Sequence, residues 1–248
     1  MLKTYGIIGF PLQHSFSQKY FTGKFATEGI TDCVYRNFPI PAIGKLPELL
    51  SLETSLTGLN VTIPYKKSVL GYLDRREKLP EGLDACNCIR IQNGELIGYN
   101  TDVIGFERSL LPLLEQQHTQ ALILGNGGAA EAVRFVLHKL GIPYRVVSRK
   151  LQAGTSLTYA DLDESVIRSH TLIINTTPLG TFPDVETYPD IPYSFLSKNH
   201  LLYDLVYNPA KTVFLQKGEA AGAAIKNGYE MLLIQAEESW RIWNENQD

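Results

Sequence analysis

The stretch "TQALILGNGGAAEAVRFVLHKLGIPYRVVSRK", residues 119–150, constrains the fold more than any other part of the chain. An apolar strand runs into a glycine-rich turn, a long helical pattern follows, and a second apolar strand closes the unit. Gly125, Gly127 and Ala130 fit G-x-G-x-x-G/A at the strand-to-helix junction, with Asn126, Gly128 and Ala129 completing the loop. The first glycine permits the tight turn, the second lets backbone N–H groups approach a pyrophosphate, and the small third residue allows helix to pack on strand. The pattern predicts a Rossmann-type dinucleotide-binding domain with a parallel sheet. A glycine-rich turn can also be only a turn, but here strand, helix and next strand all stand where the motif needs them.

The end of the second strand selects the dinucleotide. An NAD site places Asp or Glu about twenty residues on, to hold the ribose 2′-OH. This chain has Ser148, Arg149 and Lys150 there. A carboxylate would repel a 2′-phosphate, whereas a guanidinium binds it bidentately, so NADP is the expected cofactor. The competing reading makes Arg149 and Lys150 solvated loop charges.

Bulk properties exclude several classes. With 248 residues, 44% of them hydrophobic, the chain can bury a large core. A net charge of −3 argues against nucleic acid or an anionic membrane surface as partner. No apolar run approaches the ~20 residues of a membrane span, and the first residues lack a signal peptide's features. A cytoplasmic protein is therefore expected. Cys33, Cys86 and Cys88 are too few and too poorly spaced for a disulfide framework or a zinc site, and the five histidines are scattered, so no metal is expected.

The first hundred residues alternate strand and helix patterns, which implies a second α/β domain ahead of the dinucleotide domain, with the boundary near residue 105. Strands are expected at "TYGIIG" and "CVYRNF", helices after Ser17 and from Pro41, and a hairpin around Asn93-Gly94. In "GLNVTIPYKKS", Leu59, Val61 and Ile63 alternate with Asn60 and Thr62, predicting a strand with one buried and one polar face. Pro64 then reads as the first residue of a helix. Lys66 and Lys67 would fall in its first turn, where the macrodipole disfavours cations. A lysine so placed is suited to proton transfer, which makes Lys66 a candidate acid–base group. Asp102, expected in the first turn of the helix joining the domains, is its candidate partner, although carboxylates are common there for the dipole alone. Ser15 and Ser17 could bind a ligand carboxylate, with a helix N-cap as the plainer role for Ser17. Turn chemistry does not explain Asn87.

Taken together, these segments resemble the shikimate dehydrogenases, which interconvert shikimate and 3-dehydroshikimate with NADP. "GFPLQHSFS" resembles that family's serine-rich substrate loop, "GLNVTIPYK" its lysine motif and "GYNTDVIGF" its aspartate motif. "GNGGAA", "INTTPLG", "YDLVYNPAKTVFL" and "NGYEMLLIQAEESW" continue in the family's order. The resemblance implies Lys66 and Asp102 as the catalytic pair, with Ser15, Ser17, Thr62, Asn87, Asp102, Tyr207 and Gln235 holding the substrate. It adds Thr176 and Gly228 to the cofactor residues and returns the last helix to the first domain. Residues 1–104 with 229–248 would then bind substrate, and residues 105–228 would bind NADP, in a monomer or homodimer. The chain departs from the family pattern at Gln18, usually proline, at Cys88, often threonine, and at Ser148 and Lys150, more often Asn and Thr.

Three other functions compete. "YNPAK" fits the Y-x-x-x-K of short-chain dehydrogenases, with Ser194 upstream, but Pro209 between Tyr207 and Lys211 forbids the helix that chemistry needs. A quinate or dual quinate/shikimate dehydrogenase and a non-catalytic NADP-binding sensor both share the expected fold.

Overall fold

The structure is a computed structural model that describes residues 2–12 and 15–245. The chain divides into two compact units, Met1–Thr101 with Gln235–Asp248, and Asp102–Ile234.

The first unit carries β1 (Lys3–Gly9), α1 (Phe16–Thr27), β2 (Cys33–Pro39), α2 (Leu46–Leu52), β3 (Leu56–Val61), β4 (Cys88–Gln92) and β5 (Glu95–Tyr99). Their sheet has the order β2-β1-β3-β4-β5, parallel across β2, β1 and β3 and antiparallel from β3 to β5. Asn93 and Gly94 turn the β4–β5 hairpin with φ of 52° and 84°, the left-handed pair that a two-residue hairpin loop requires.

Both faces of this sheet are covered, which corrects the half-polar reading of β3. Leu59 and Val61 enter a core with Ile8, Leu46, Val69 and Ile89, while Asn60 on the opposite face is only 4% exposed. That second face carries Tyr5, Phe21, Phe25, Tyr35 and Trp243. The Trp243 ring lies so close to Gly58 that a Cβ there would approach it to 2.4 Å, so β3 needs glycine at this point. Ile63, read as part of the buried stripe, lies beyond the strand and is 70% exposed.

Two helix starts also differ from expectation. No helix begins at Pro64. Thr62 to Tyr65 closes as a turn, with Tyr65 N–H donating to the Thr62 carbonyl at 2.9 Å and a cis Ile63-Pro64 peptide inside it. Lys66 and Lys67 follow in turn conformation, ahead of a single 3-10 segment at Ser68–Tyr72. The macrodipole argument for Lys66 therefore has no helix to act through. At α1 the N-cap is Ser15, whose Oγ accepts from Gln18 N–H at 3.2 Å, and Ser17 sits inside the first turn. A proline at 18 would have no N–H to give this cap, so the departure at Gln18 and the capping by Ser15 go together.

The second unit opens with α3 (Thr101–Leu110), whose first residue closes the first unit, and continues with β6 (Ala121–Leu124), α4 (Gly128–Lys139), β7 (Tyr144–Ser148), β8 (Leu157–Thr158), α5 (Glu164–Ser169), β9 (Leu172–Asn175), β10 (Leu201–Asp204), α6 (Val213–Ala220), β11 (Ala224–Lys226) and α7 (Tyr229–Asn244). Its all-parallel sheet runs β11-β10-β9-β6-β7-β8. Counted from β6 this is the doubly wound order 3-2-1-4-5-6, with the switch point between β6 and β9, where such sheets bind dinucleotides. The strands are continuous apolar runs because helices cover both faces: all four residues of β6, β9 and β10 are buried. α7 gives its first six residues to this unit and the rest, from Gln235, to the first.

Candidate active site

At the carboxyl ends of β6, β7 and β9 the second unit holds a cavity of about 750 Å³. Gly125, Asn126, Gly127, Ser148, Arg149, Lys150 and Thr176 line it, seven of the expected cofactor residues. Gly125 has φ 103°, and a Cβ there would come within 2.9 Å of Thr176 Oγ1 and of the Thr177 methyl, so glycine is required twice over. A Cβ at Gly127 would meet nothing within 4 Å and would only fill the open cradle. Gly127 is the N-cap of α4 and offers no side-chain acceptor, so the first-turn amides of Gly128 and Ala129 are left for an anion to cap. The charged lining residues are Arg149 and Lys150, with no carboxylate among them. The residues present fit a phosphorylated dinucleotide.

Five further residues line it: Thr177, Pro178 and Leu179, which lie in the "INTTPLG" motif but were given no role, and Gln152 and Tyr159, which no motif announced. Burial raises the Tyr159 phenol while the nearby Arg149 charge pulls it back, which places that cation beside an aromatic ring. Thr177 is oriented from below by Asn175, whose Oδ1 accepts from its N–H at 3.0 Å and its hydroxyl at 2.6 Å. Asn175 Nδ2 in turn donates to Asp204 Oδ1 at 2.9 Å, and Thr212 and Val206 N–H donate to the same carboxyl. Asp204 has no exposed surface, and desolvation pushes it up to about 6 against those three hydrogen bonds.

Gly228 and Tyr207 lie apart from this cavity lining. A Cβ at Gly228 would overlap the Leu205 carbonyl at 2.2 Å, and its N–H donates to Val206 at 3.1 Å, so this glycine packs against the segment that carries Tyr207. Tyr207 stands in the loop after β10 rather than on the strand, half-buried, with its phenol raised by desolvation and so protonated at neutral pH. Lys211 lies in the same loop, which removes the shared helix face that a Y-x-x-x-K site needs.

The first unit gathers the candidate substrate residues on a buried polar network. Asn87, 3% exposed, accepts at Oδ1 from Thr101 N–H at 2.7 Å and donates from Nδ2 to Thr101 Oγ1 at 3.0 Å. It therefore caps α3 from a distant segment, one residue ahead of Asp102, which is 9% exposed in the helix's first turn. Ser239 Oγ accepts from Asn60 Nδ2 at 3.0 Å, donates to the Gln235 carbonyl at 2.9 Å and lies 3.2 Å from Thr101 Oγ1. Gln235 Oε1 is 3.4 Å from that same hydroxyl. Tyr35 donates to Asn60 Oδ1 at 2.8 Å and is itself hydrogen-bonded by Ser17. Lys66 is half-buried beside the exposed Lys67, and its carbonyl accepts from Cys86 N–H at 2.8 Å. Val61 N–H donates to the Asn87 carbonyl at 2.8 Å, and Tyr65 pins the turn through Ile40 at 2.6 Å. Thr62 closes the same edge, donating its N–H to Ile8 at 3.0 Å. Asn60, Thr101 and Ser239 escaped sequence reasoning. Their polarity was visible, but their burial was not.

A sequence profile described as the shikimate dehydrogenase substrate binding domain matches residues 7–89. A shikimate dehydrogenase (NADP(+)) of Methanococcus maripaludis strain C6 is 35% identical over 261 aligned residues, covering 97% of this chain and 91% of that protein. The chain belongs to the shikimate dehydrogenase family. A second family member, from Caldicellulosiruptor saccharolyticus, is 34% identical over 98% of this chain and 92% of its own length. The shikimate 5-dehydrogenase of Thermus thermophilus, solved with NADP(H) and shikimate, matches the structure with a TM-score of 0.85 at 28% identity, over 99% of this chain and 94% of that one. Both α/β units thus belong to one shikimate dehydrogenase scaffold. Among the described residues no helix is long and apolar enough to cross a membrane.

Proposed function

We propose that this chain is an NADP-dependent oxidoreductase that interconverts shikimate and 3-dehydroshikimate, the step its family carries out in aromatic amino acid and chorismate biosynthesis. The observation that carries this reading is the cavity at the sheet's switch point, whose charged lining residues are Arg149 and Lys150 and whose floor is an uncapped helix end. Bound there, NADP supplies a hydride acceptor and donor. Arg149 and Lys150 would hold its 2′-phosphate, and the amides of Gly127 to Ala129 would hold its pyrophosphate.

Lys66 binds the substrate hydroxyl that becomes the ketone and moves its proton, and Asp102 orients or shares that proton. Ser15 uses its oxygen to cap α1, which leaves its O–H free to donate to the substrate carboxylate. Ser17 has one proton as well, but Tyr35, whose own proton goes to Asn60, competes for it. Thr62, Asn87, Tyr207 and Gln235 are the remaining residues assigned to holding the substrate. Cys33, Cys86 and Cys88 stand outside any disulfide, which suits a reducing, cytoplasmic setting.

The test is NADPH or NADH formation by purified protein offered shikimate or quinate with NADP or NAD, in all four combinations. Turnover confined to shikimate with NADP is the expected result. Equal or faster turnover with quinate would make the enzyme a quinate/shikimate dehydrogenase. NADP binding without turnover in any combination would leave a sensor.

A further inference from the structure

The glycine loop and the loop that carries the 2′-phosphate cations are joined by a clamp that phosphate chemistry alone does not require. Arg134, on α4, donates through Nη2 to Asn126 Oδ1 and, at 2.8 Å, to the Gly154 carbonyl. Asn126 Nδ2 donates to the Ala153 carbonyl at 3.2 Å. The amide orientation follows from its partners, because a flipped Asn126 would set its NH2 against the guanidinium and its oxygen against a carbonyl. Gly154 has φ 79°, and a Cβ there would come within 3.3 Å of Arg134 Nη1, so the loop tip meets the guanidinium backbone-first.

The clamp acts on a defined piece of chain. The ends of the 148–156 loop are tied to its own strand and to itself: Ser148 Oγ donates to the Lys150 carbonyl at 2.5 Å, Gln152 N–H to Thr155 Oγ1 at 2.8 Å, and Ser156 N–H to Val146 at 2.8 Å. The tip at Ala153 and Gly154 is tied to Asn126 and Arg134. Asn126, Arg149, Lys150 and Gln152 line one cavity, so a change in tip position alters where the cations stand relative to the pyrophosphate cradle. Arg134 is not among the lining residues, and its side chain is 16% exposed. Both bonds leave one nitrogen, Nη2, whose two N–H groups the planar guanidinium holds in a fixed direction.

We infer that Arg134 is a positioning residue for cofactor selection: by clamping the loop tip to the glycine loop it sets Arg149 and Lys150 for a 2′-phosphate. The inference rests on the NADP reading above. Loss of the clamp lowers affinity for 2′-phosphorylated nucleotides and leaves the pyrophosphate cradle intact.

Calorimetric titration of 2′,5′-ADP and 5′-AMP against wild type, R134A and R134K tests this, with thermal unfolding to confirm that each variant is folded. R134A is expected to weaken 2′,5′-ADP about five- to tenfold, the effect of losing hydrogen bonds from a charged donor, with less than about a twofold change for 5′-AMP. R134K, which keeps the charge and a compact side chain should R134A fold poorly, is expected to fall between. N126A combined with R134A is expected to be no worse than the stronger single variant, since both remove one clamp. Equal weakening of both nucleotides, or a folded R134A protein that binds 2′,5′-ADP as wild type does, would overturn the inference while leaving the NADP reading standing. A wild-type protein with no preference for 2′,5′-ADP over 5′-AMP would remove the NADP reading and the inference together.

Discussion

The two units build their halves of the chemistry from different materials. In the substrate unit Ser17, Asn60, Asn87, Thr101, Gln235 and Ser239 are all buried and share hydrogen bonds, so each side chain holds another in place. In the second unit the glycine loop offers mostly backbone to the cavity, and the cations proposed to select NADP, Arg149 and Lys150, are exposed loop residues. A buried network is sensitive because deleting one member leaves a desolvated partner unsatisfied, at about 1–3 kcal/mol. A backbone cradle tolerates side-chain change, and a loop cation changes selectivity with little effect on stability. The substrate half is therefore rigid in chemistry, and the cofactor half is adjustable.

The comparison can be broken or sharpened by substitution. The largest expected effect is Lys66→Ala, which should lower kcat with shikimate by about 10²–10⁴-fold while leaving NADP affinity unchanged in equilibrium titration. Near-native turnover would remove Lys66 from the proton path. Arg149→Ala should raise the KM for NADP about 10–100-fold, the loss of charge-assisted hydrogen bonds, with the KM for NAD and the unfolding midpoint unmoved. Asn87→Ala should do the reverse. It strips the cap from Thr101 inside the core and is expected to lower stability by about 1–3 kcal/mol in denaturant unfolding, with a raised KM for shikimate. If Asn87→Ala proved no more destabilising than Arg149→Ala, the contrast between the halves would fail.

The smallest effect concerns the one strongly shifted carboxyl under the cofactor floor. Asp204 is raised from 3.8 to about 6, so between those values the folded state binds the proton that the unfolded state has lost. Its contribution to stability is full below the unfolded value and lost as pH rises through about 6. Between pH 5 and pH 8 wild type should lose stability relative to Asp204→Asn on the order of 1 kcal/mol. Parallel pH profiles for the two proteins would show that the carboxyl titrates normally.

Legibility followed the same division. The cofactor half could be read because its requirements are local: Gly125 needs a positive φ, the helix end needs no cap, and Arg149 ends the next strand, all within one βαβ unit. The lining contributed by Gln152 and Tyr159 lay outside every motif, and Thr177 to Leu179 stood in a motif, "INTTPLG", whose place at the cavity only the sheet order shows. In the substrate half, alternation in "GLNVTIP" was visible, but its consequence was misjudged. Asn60 reads as solvent-facing, but Ser239 of the last helix accepts from it and Trp243 of the same helix covers the neighbouring Gly58. The helix expected at Pro64 failed for a similar reason: proline suits a helix start and a cis turn alike, and the neighbours Tyr65 and Cys86, anchored elsewhere, selected the turn.

By itself the sequence determined the strand–glycine–helix unit, the absence of an acid after β7 and the order of family motifs, because steric freedom, charge and spacing along the chain are local quantities. Only the tertiary structure decided that Ser15 rather than Ser17 caps α1, that Asn87 caps α3, that Asn60 and Ser239 lie beneath the substrate residues and that Arg134 ties two loops together. Each of those roles depends on which distant group a polar atom meets once water is gone, and a hydrogen bond's partner is set by packing and not by position along the chain.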